Sequence, residues 1–354
     1  EGAITQQSYG AVIKFKKNNL RINSNSLFEN LSKPFNRAEQ PYNQYQFSGT
    51  SILNTSLDYS YIYRNINFFG ETALNFNNMS VASINGLIIG LDRKVDLAIL
   101  NRYLPNDYVA LTPNVFAETS QGNNENGTYI GIDLKPNRSW KWSNYVDFWK
   151  HPWLRFNIDA PSQGFEYLSR VTFTIKRRLE MYAQYKFEQK QYNQSGNETV
   201  FNQLIDIKRN NFRIQINNKL NKQIELRNRI EFSIYKNGDN ALEHGFMIYQ
   251  DIIYKPLSYP LSFTGRLAIF DTESYNTRIY AYENDLLNVF SVPPYYNQGV
   301  RAYLNIRYRG IKNVTAEVRM SQTWYNNQTT FGSALDLIQD NKRTEVKAQI
   351  KYTF

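Results

Sequence analysis

The segment that decides the fold is Glu345–Phe354, which reads EVKAQIKYTF. Alternate side chains in this segment form an apolar set and a polar set. The apolar set is Val346, Ala348, Ile350, Tyr352 and Phe354, and the polar set is Glu345, Lys347, Gln349, Lys351 and Thr353. Such period-2 alternation predicts a β-strand with one apolar face and one largely charged face.

The same alternation recurs in three other segments, which are Leu53–Arg64, Ile224–Tyr235 and Val300–Arg309. A helix would instead place its apolar residues three and four positions apart. Together the four segments predict an all-β chain.

Composition narrows the class of protein further. The chain has 354 residues, no cysteine and a formal net charge of +10, with a mean hydropathy of -0.58. Without cysteine there is neither a disulfide framework nor a thiolate metal site.

The longest apolar run, Gly86–Leu91, is far shorter than the ~18 residues that a membrane-spanning helix needs, which excludes helical insertion. A barrel with a polar interior gives a negative hydropathy, but so does a soluble β protein.

A soluble β-sandwich is therefore the alternative to a membrane barrel. Strands of about 10 to 14 residues, against about 5 to 6 in soluble sheets, favour the barrel, as do tyrosine and tryptophan near strand ends. The sequence predicts a transmembrane antiparallel up-and-down outer-membrane β-barrel of about 16 to 18 strands, located in the outer membrane of a Gram-negative cell. The last strand resembles the one by which such barrels are recognised, so Tyr352 and Phe354 are predicted to be an assembly signal.

Connections alternate in length, which orients the chain, because outer-membrane barrels have short periplasmic turns and long outer loops. Long loops are predicted at 30–43, 104–126, 151–164, 193–200, 272–298 and 326–340. The chain, 1–354, is predicted to form one barrel domain. The hairpin count runs odd where an even number is expected. We therefore expect either a first strand and a periplasmic region before Glu1, or a misassignment between Leu104 and Asn126, which reads as a loop, a strand and a second loop.

Charged side chains on the polar strand faces predict a charged wall that faces the lumen. Its members are Arg213, Glu225, Arg227, Arg229, Glu231, Arg301, Arg307, Arg309, Glu317 and Arg319. One interpretation is a wall braced by ion pairs, because buried charges must be paired. The other is a net-positive lumen that favours anionic solutes or polyanions.

The predicted loop 272–298 and its start carry a group of carboxylates. These are Asp271, Glu273, Glu283 and Asp285. Their oxygens could bind Ca²⁺, but Arg266 and Arg278 are near enough in sequence to neutralise them, and no metal site is predicted. The length of the loop and its aromatic end, Pro293–Tyr296, make it a candidate to fold into the lumen as a constriction.

A catalytic role is the weakest of the functional hypotheses. The chain has two histidines, His151 and His244. His244 lies beside Glu243 and near Asp239, a loose carboxylate and imidazole set, whereas His151 lies among tryptophans and suggests interfacial packing. No serine occupies a nucleophile-elbow motif. We predict no catalytic residues, no enzyme activity and no cofactor.

Three segments together resemble a known family. They are Asn123–Gly131 (NNENGTYIG), Asp159–Gly164 (DAPSQG) and Phe270–Asp285 (FDTESYNTRIYAYEND). They are similar to the barrel region of Bacteroidota outer-membrane proteins that carry ComEA-type helix-hairpin-helix repeats. The resemblance implies repeats before the barrel that bind duplex nucleic acid through backbone amides on phosphates. The sequence from Glu1 onward contains no such repeats.

Two further functional hypotheses follow. The first is a transport or translocation channel, linked to DNA uptake or binding only through the resemblance. The second is a non-conducting accessory subunit of a larger outer-membrane assembly or secretion complex. The expected partners are outer-membrane lipid and lipopolysaccharide, the barrel-assembly machinery during biogenesis, other outer-membrane complex subunits and, by resemblance alone, nucleic acid.

Overall fold

Long antiparallel strands dominate the computed structural model, which describes residues 3–194, 196, 202–332 and 334–354. Seventeen strands form one sheet and two short strands form another. The strands of the large sheet are β1 (Gln6–Lys17), β2 (Leu20–Phe35), β3 (Gly49–Tyr63), β4 (Ile66–Asn75), β5 (Ser80–Asp92), β6 (Val95–Leu104), β7 (Glu125–Leu134), β8 (Trp140–His151), β9 (Ser162–Ile175), β10 (Leu179–Asn193), β11 (Leu204–Lys219), β12 (Ile224–Asn237), β13 (Glu243–Tyr254), β14 (Leu261–Thr272), β17 (Gln298–Tyr308), β18 (Val314–Tyr325) and β19 (Lys342–Tyr352). The short pair is β15 (Ile279–Tyr280) and β16 (Pro294–Tyr295).

Strand length and pairing confirm the predicted fold class. Strands of the large sheet run from 10 to 16 residues, at or above the roughly 9 to 11 residues that cross a bilayer. Consecutive strands pair antiparallel in up-and-down order. The chain therefore has the all-β architecture of an outer-membrane β-barrel, and 17 strands fall within the predicted range, although the number is odd.

Helical structure is confined to two 3-10 turns in the described part of the chain, Tyr275–Thr277 and Ala334–Asp336. No helix among the described residues is long and apolar enough to cross a bilayer.

The observed loops lie close to the predicted ones, with one clear difference. The long connections are 36–48, 105–124, 152–161, 273–297 and 326–341, and most of the predicted loop 193–200 lies outside the described residues. The loop predicted at 30–43 begins only after Phe35, because β2 continues past Asn30 through a register shift. Ser32 extends this strand by donating its backbone N–H to Thr5 O at 2.9 Å and accepting from Thr5 N at 2.9 Å. The segment 105–124 contains no strand.

Tight hairpin turns have left-handed residues at their centres. Asn18 and Arg64, in two-residue turns, have φ angles of 50° and 53°. Primed two-residue turns need positive φ because their twist matches that of the flanking strands. These turns set the register of the hairpins that they join.

The chain divides into two compact units. Unit 1 comprises Glu1–Pro136, Trp142–Leu168 and Glu188–Lys208, and unit 2 comprises Asn137–Lys141, Ser169–Phe187 and Arg209–Phe354. The single-domain prediction for 1–354 stays a prediction.

Unit 1 is organised around the buried guanidinium of Arg102 on β6. Its Nε lies 2.5 Å from Glu125 Oε1, and its Nη1 lies 2.8 Å from Asp147 Oδ1. Gly127, opposite Arg102 on β7, leaves room for this group, because an added Cβ would collide with the guanidinium. The backbone N–H of Glu118 donates to Glu125 Oε2 at 3.0 Å, so the cluster also anchors loop 105–124.

Unit 2 has one sheet face covered by loop 273–297 and one face that is apolar and exposed. On the covered face, the buried apolar core is Met247, Tyr249, Ala268, Phe270, Ile279, Ala281, Tyr295 and Tyr325. On the opposite face, half-exposed apolar side chains include Phe232, Ile248, Ile252, Leu267, Ile269, Leu304, Val318 and Met320. We call the covered face the inner face of unit 2. The exposed apolar face is the one that contacts lipid in an outer-membrane barrel.

The lipid-contacting face gives a first prediction. We expect Ile248→Arg to lower the free energy of unfolding by about 2–4 kcal/mol, because a cation on the lipid face pays this cost near the bilayer midplane. Leu257→Arg is the matched control, since Leu257 is 71% exposed in the turn between β13 and β14 and should cost at most about 1 kcal/mol. Denaturant unfolding in phospholipid vesicles measures both. Equal effects would contradict the assignment of this face.

Candidate functional site: a loop docked on the inner face of unit 2

Loop 273–297 begins with a capped turn and continues as a short hairpin. Ser274 caps the 3-10 turn by accepting from Asn276 N. β15 and β16 then pair, with Ile279 opposite Tyr295. Along 279–283 the side chains alternate, since Ile279, Ala281 and Glu283 are buried whereas Tyr280 and Tyr282 are each 46% exposed. One face of the loop therefore packs on the sheet.

The buried carboxylate of Glu283 is the centre of the docking contacts. Arg301 donates to it twice, from Nε to Oε1 at 2.7 Å and from Nη2 to Oε2 at 3.0 Å. Arg319 Nη2 also donates to Oε2, and Tyr295 Oη donates to Oε1 at 2.5 Å. Glu283 has no solvent exposure. A carboxylate from the loop thus joins two arginines of β17 and β18.

The residues after Glu283 extend the same network. Asp285 Oδ2 lies 3.2 Å from Lys347 Nζ and 3.8 Å from Arg319 Nε. Asn284 donates to Tyr303 Oη from its backbone N at 3.2 Å and from Nδ2 at 3.3 Å. The ring of Tyr303 lies 4.4 Å from the guanidinium of Arg319, a cation–π distance. Charge and aromatic contacts therefore fix the loop at the same place.

Side chains of the sheet also bind the loop backbone along its length. Arg209 Nη2 donates to Asn276 O at 3.0 Å, and Arg229 Nη2 donates to Tyr280 O at 3.3 Å. Near the tip, Leu287 N donates to Glu317 Oε2 at 2.7 Å. The loop is held at its start, its middle and its tip.

The residues of the predicted charged wall are paired on the inner face, with one exception. Nine of the ten are joined in ion pairs, which are Arg213–Glu231, Arg229–Glu231, Arg227–Glu225, Arg307–Glu317, Arg301–Glu283 and Arg319–Glu283. Arg309 is in no ion pair of this set, and its place on the wall stays a prediction. β17 ends at Tyr308, and the exposed Arg309 lies in the following turn, where its N–H donates to Pro260 O at 2.8 Å.

Sequence reasoning missed one buried ion pair of the inner face, Arg266–Asp251. Arg266 Nε and Nη2 donate to Asp251 Oδ1 and Oδ2 at 2.5 and 2.8 Å. The guanidinium also lies 3.7 Å from the ring of Tyr249. Asp251 and Arg266 are directly opposite in the β13–β14 register. Aligning that hairpin from its turn would have revealed the pair.

The four predicted loop carboxylates do not form one cluster. Glu283 and Asp285 point to arginines and Lys347, whereas Asp271 accepts from Gln298 Nε2 at 3.1 Å and Glu273 is exposed. Period-2 alternation at the end of β14 sends Asp271 to the face opposite Phe270. No group of three or more metal-ligating side chains occurs in the described part of the chain.

His244 has a carboxylate neighbour that the sequence did not suggest. Its Nδ1 lies 3.6 Å from Glu273 Oε2, while Glu243 accepts from Ser274 Oγ instead. A serine nucleophile is activated by an adjacent general base. Ser274 Oγ instead donates to the carboxylate of Glu243, so this arrangement does not favour the hydrolase hypothesis.

A polar cleft of about 310 Å³ lies between the loop and the inner face. Its lining includes the cations Arg227, Lys255 and Arg307, and the anions Asp285 and Glu317. Lys255 is in no ion pair among the residues that the structure describes, whereas the other four charges are paired. The cleft therefore carries one uncompensated positive charge.

The arginines that contact Glu283 change its acidity. Burial favours the neutral acid, but the hydrogen bonds from Arg301 and Tyr295 and the charge of Arg319 outweigh it and lower the pKa of Glu283 below 4.5, its usual value. Glu283 is therefore ionised throughout the neutral range.

No protein-family model matches the chain, and no curated protein matches it significantly. Solved structures with a similar fold do exist. OmpT of Vibrio cholerae is 12% identical, with 96% of this chain and 99% of that chain covered and a TM-score of 0.42. An anion-selective porin from Comamonas acidovorans is 8% identical, with 98% and 100% covered and a TM-score of 0.42. The outer-membrane channel DcaP of Acinetobacter baumannii is 11% identical, with 99% and 97% covered and a TM-score of 0.40.

At these identities and TM-scores the similarities carry no argument about solute, partner or activity. The chain's own strand lengths, pairing and exposed apolar faces make it an outer-membrane β-barrel protein, located in the outer membrane. The predicted assembly-signal residues are both exposed. Tyr352 ends β19, and its ring lies 5.2 Å from that of Phe354; their role stays a prediction.

The contacts of Glu283 predict how the loop can be released. Glu283→Gln leaves Arg301 and Arg319 without a counter-charge, and breaking a buried pair costs about 3–5 kcal/mol. We expect this cost to appear as undocking of the loop rather than global unfolding. Because the chain has no cysteine, a nitroxide on Phe290→Cys reports loop mobility by electron paramagnetic resonance.

Glu273→Gln is the control for this experiment. It alters a glutamate of the same loop whose side chain is 58% exposed. The spectrum should sharpen with Glu283→Gln and stay broad with Glu273→Gln. An unchanged spectrum in both variants would show that Glu283 does not hold the loop.

Acid should release the loop through the same carboxylate. The folded pKa of Glu283 is lowered, so its stabilising contribution is complete above the unfolded value near 4.5 and is lost as pH falls through the folded pKa. The labelled loop should therefore remain immobile at pH 4.5 and become mobile only at lower pH. A titration from pH 7 to 2 tests this, and the Glu283→Gln variant should show no transition from this group. Release already above pH 5 would contradict it.

Proposed function

We propose that the protein is an outer-membrane channel for small polar solutes, with loop 273–297 as its constriction and a modest preference for anions. The observation that carries the proposal is the docking of this loop on the inner face through Glu283. A loop fixed at this position narrows the passage beside it. The polar cleft of about 310 Å³ next to the loop is large enough to hold a small hydrated solute.

The anion preference rests on a small excess of charge. The arginine wall itself is largely neutralised by carboxylates, so its formal charge attracts few anions. Lys255, which is exposed in the cleft and has no carboxylate partner among the described residues, provides the remaining positive charge. Rings of charged side chains set the sign of selectivity in pores, so one free cation supports a weak preference.

Single-channel recording in a planar bilayer tests this function. The unchanged protein should give a stable small conductance, and Glu283→Gln should raise it severalfold by freeing the constriction, whereas Glu273→Gln should not. Under a KCl gradient, the reversal potential should indicate weak anion selectivity. Lys255→Gln should reduce that selectivity, while Lys312→Gln, an exposed lysine of the β17–β18 turn, should leave it unchanged.

A non-conducting accessory subunit of a larger outer-membrane assembly or secretion complex is the second candidate. The observation in its favour is the pairing of nine wall residues, which suits a braced wall better than an attractive one. This candidate would be favoured over the channel if neither the unchanged protein nor Glu283→Gln conducted current and mild solubilisation gave a large complex.

Other partner proposals have narrower support. The exposed apolar faces fit contact with outer-membrane lipid and lipopolysaccharide, and the exposed Tyr352 and Phe354 fit recognition by the barrel-assembly machinery. A link to DNA uptake or nucleic-acid binding rests on the family resemblance alone. The docked loop opposes passage of a duplex along the inner face of unit 2, so added duplex DNA should not block the current while the loop is docked.

A further inference from the structure

Unit 1 contains a pocket that the channel proposal does not use. It has a volume of about 390 Å³ and lies among three of the long connections, 36–48, 105–124 and 152–161. Cavities of about 300–1,000 Å³ are the usual size of small-molecule sites. The length rule for barrel connections places these loops on the outer side of the membrane.

Two pairs of aromatic rings form one side of the pocket. Tyr45 and Trp153 meet edge to face at 5.2 Å, and Tyr42 and Phe156 do so at 5.7 Å. Phe156 is 69% exposed and Tyr45 is 38% exposed. Ring faces that remain open on a cavity, rather than buried in a core, can contact a ligand.

The indole of Trp153 is held rigidly. Its backbone N donates to Asn124 Oδ1 at 2.7 Å, and its backbone O accepts from Asn124 Nδ2 at 3.0 Å. Its Nε1 donates to Pro41 O at 2.9 Å. Asn124 is itself fixed, because His151 Nδ1 lies 2.8 Å from its carbonyl oxygen. The platform is therefore preorganised, which reduces the entropy cost of binding.

The guanidinium of Arg155, which lines the pocket, has unused hydrogen-bonding capacity. Among the described residues Arg155 is in no ion pair, and its Nη2 makes a long bond of 3.3 Å to Ser162 Oγ. A guanidinium carries five N–H donors, so Arg155 has donors left for a ligand.

We propose that this pocket binds a saccharide, with the aromatic rings against the apolar face of a sugar ring and Arg155 and the neighbouring amides on its hydroxyl groups. Hydroxyl groups both donate and accept, which matches a lining that combines the guanidinium of Arg155, the carboxylate of Glu118 and the amides of Gln121 and Asn106. This proposal does not depend on the channel function proposed for the protein.

The charges of the pocket disfavour a polyanion such as nucleic acid. Such ligands need clustered cations to neutralise successive phosphates. Glu118 lines the pocket and pairs with Lys190 at 3.0 Å, and Glu125 and Asp147 of the Arg102 cluster lie in the same unit. Arg155 is thus the one cation of the lining.

Titration calorimetry on the purified full chain in detergent tests the proposal. The probes are maltotetraose, cellotetraose, mannotetraose and the lipid-free core oligosaccharide of lipopolysaccharide. The first three represent free glycans and the fourth represents the cell's own surface sugar, so the set distinguishes the two sources. We expect at least one of them to bind with a Kd of about 1 mM or tighter. Phe156→Ala and Arg155→Gln should each weaken binding about tenfold or more.

Tyr259→Ala is the matched control, because Tyr259 is 72% exposed in a short turn of unit 2 and should leave affinity unchanged. The circular dichroism of each variant checks that the sheet is intact, and an exposed residue such as Phe156 should not alter it. Binding by none of the four probes would overturn the proposal. So would binding that is equally strong in the intact chain, Phe156→Ala and Arg155→Gln.

Discussion

The pairing of buried charge at Glu283 is the interaction on which the inner face of unit 2 depends. A carboxylate with no solvent exposure is costly unless it is paired and hydrogen-bonded. Glu283 meets this condition through Arg301, Arg319 and Tyr295. The dependence is mutual, because Arg319 is also buried and would lose its main counter-charge if the loop moved away. The docked loop is therefore part of the wall.

Unit 1 solves the same problem in the same way. Arg102 is buried between Glu125 and Asp147, and both carboxylate oxygens of Glu125 accept the backbone N–H of Glu118 in loop 105–124. In each unit a cluster of paired charges thus joins one long loop to the strands. This use of charge suits a sheet whose opposite face is apolar, since the polar contacts can gather on one side. The ion pairs also fix the position of each loop more precisely than aliphatic packing alone would, because charged hydrogen bonds are directional.

Period-2 alternation was sufficient to predict the fold class and the face of most wall residues. For Arg301, Arg307 and Glu317 the prediction needed only strand direction and parity, which local sequence contains. The position of Arg309 was harder to predict, because the end of β17 depends on the turn that follows, and its backbone N–H pairs with Pro260 O beside that turn. The pair Asp251–Arg266 needed a cross-strand register, which single strands do not display.

The docked state of the loop lies beyond what local pattern can show. Burial alternates along Ile279–Glu283 as in a strand, but the sequence of this run does not show which residues cover Ile279 or neutralise Glu283. That information is distributed over β13, β14, β17 and β18, which all lie outside the loop. Sequence could nominate the loop as a constriction from its length and its aromatic end, but not the carboxylate that fixes it.

The pairing of the wall also limits what its arginines can do for a solute. A guanidinium engaged by a carboxylate is a local dipole, and its field falls off faster than that of a free charge. Arg307 in the cleft is of this kind, whereas Lys255 is not. Selectivity in such a passage would come from a few unpaired groups and from the width that the loop leaves, rather than from the number of arginines. A large count of basic residues on a polar face is therefore weak evidence for anion transport until their partners are known.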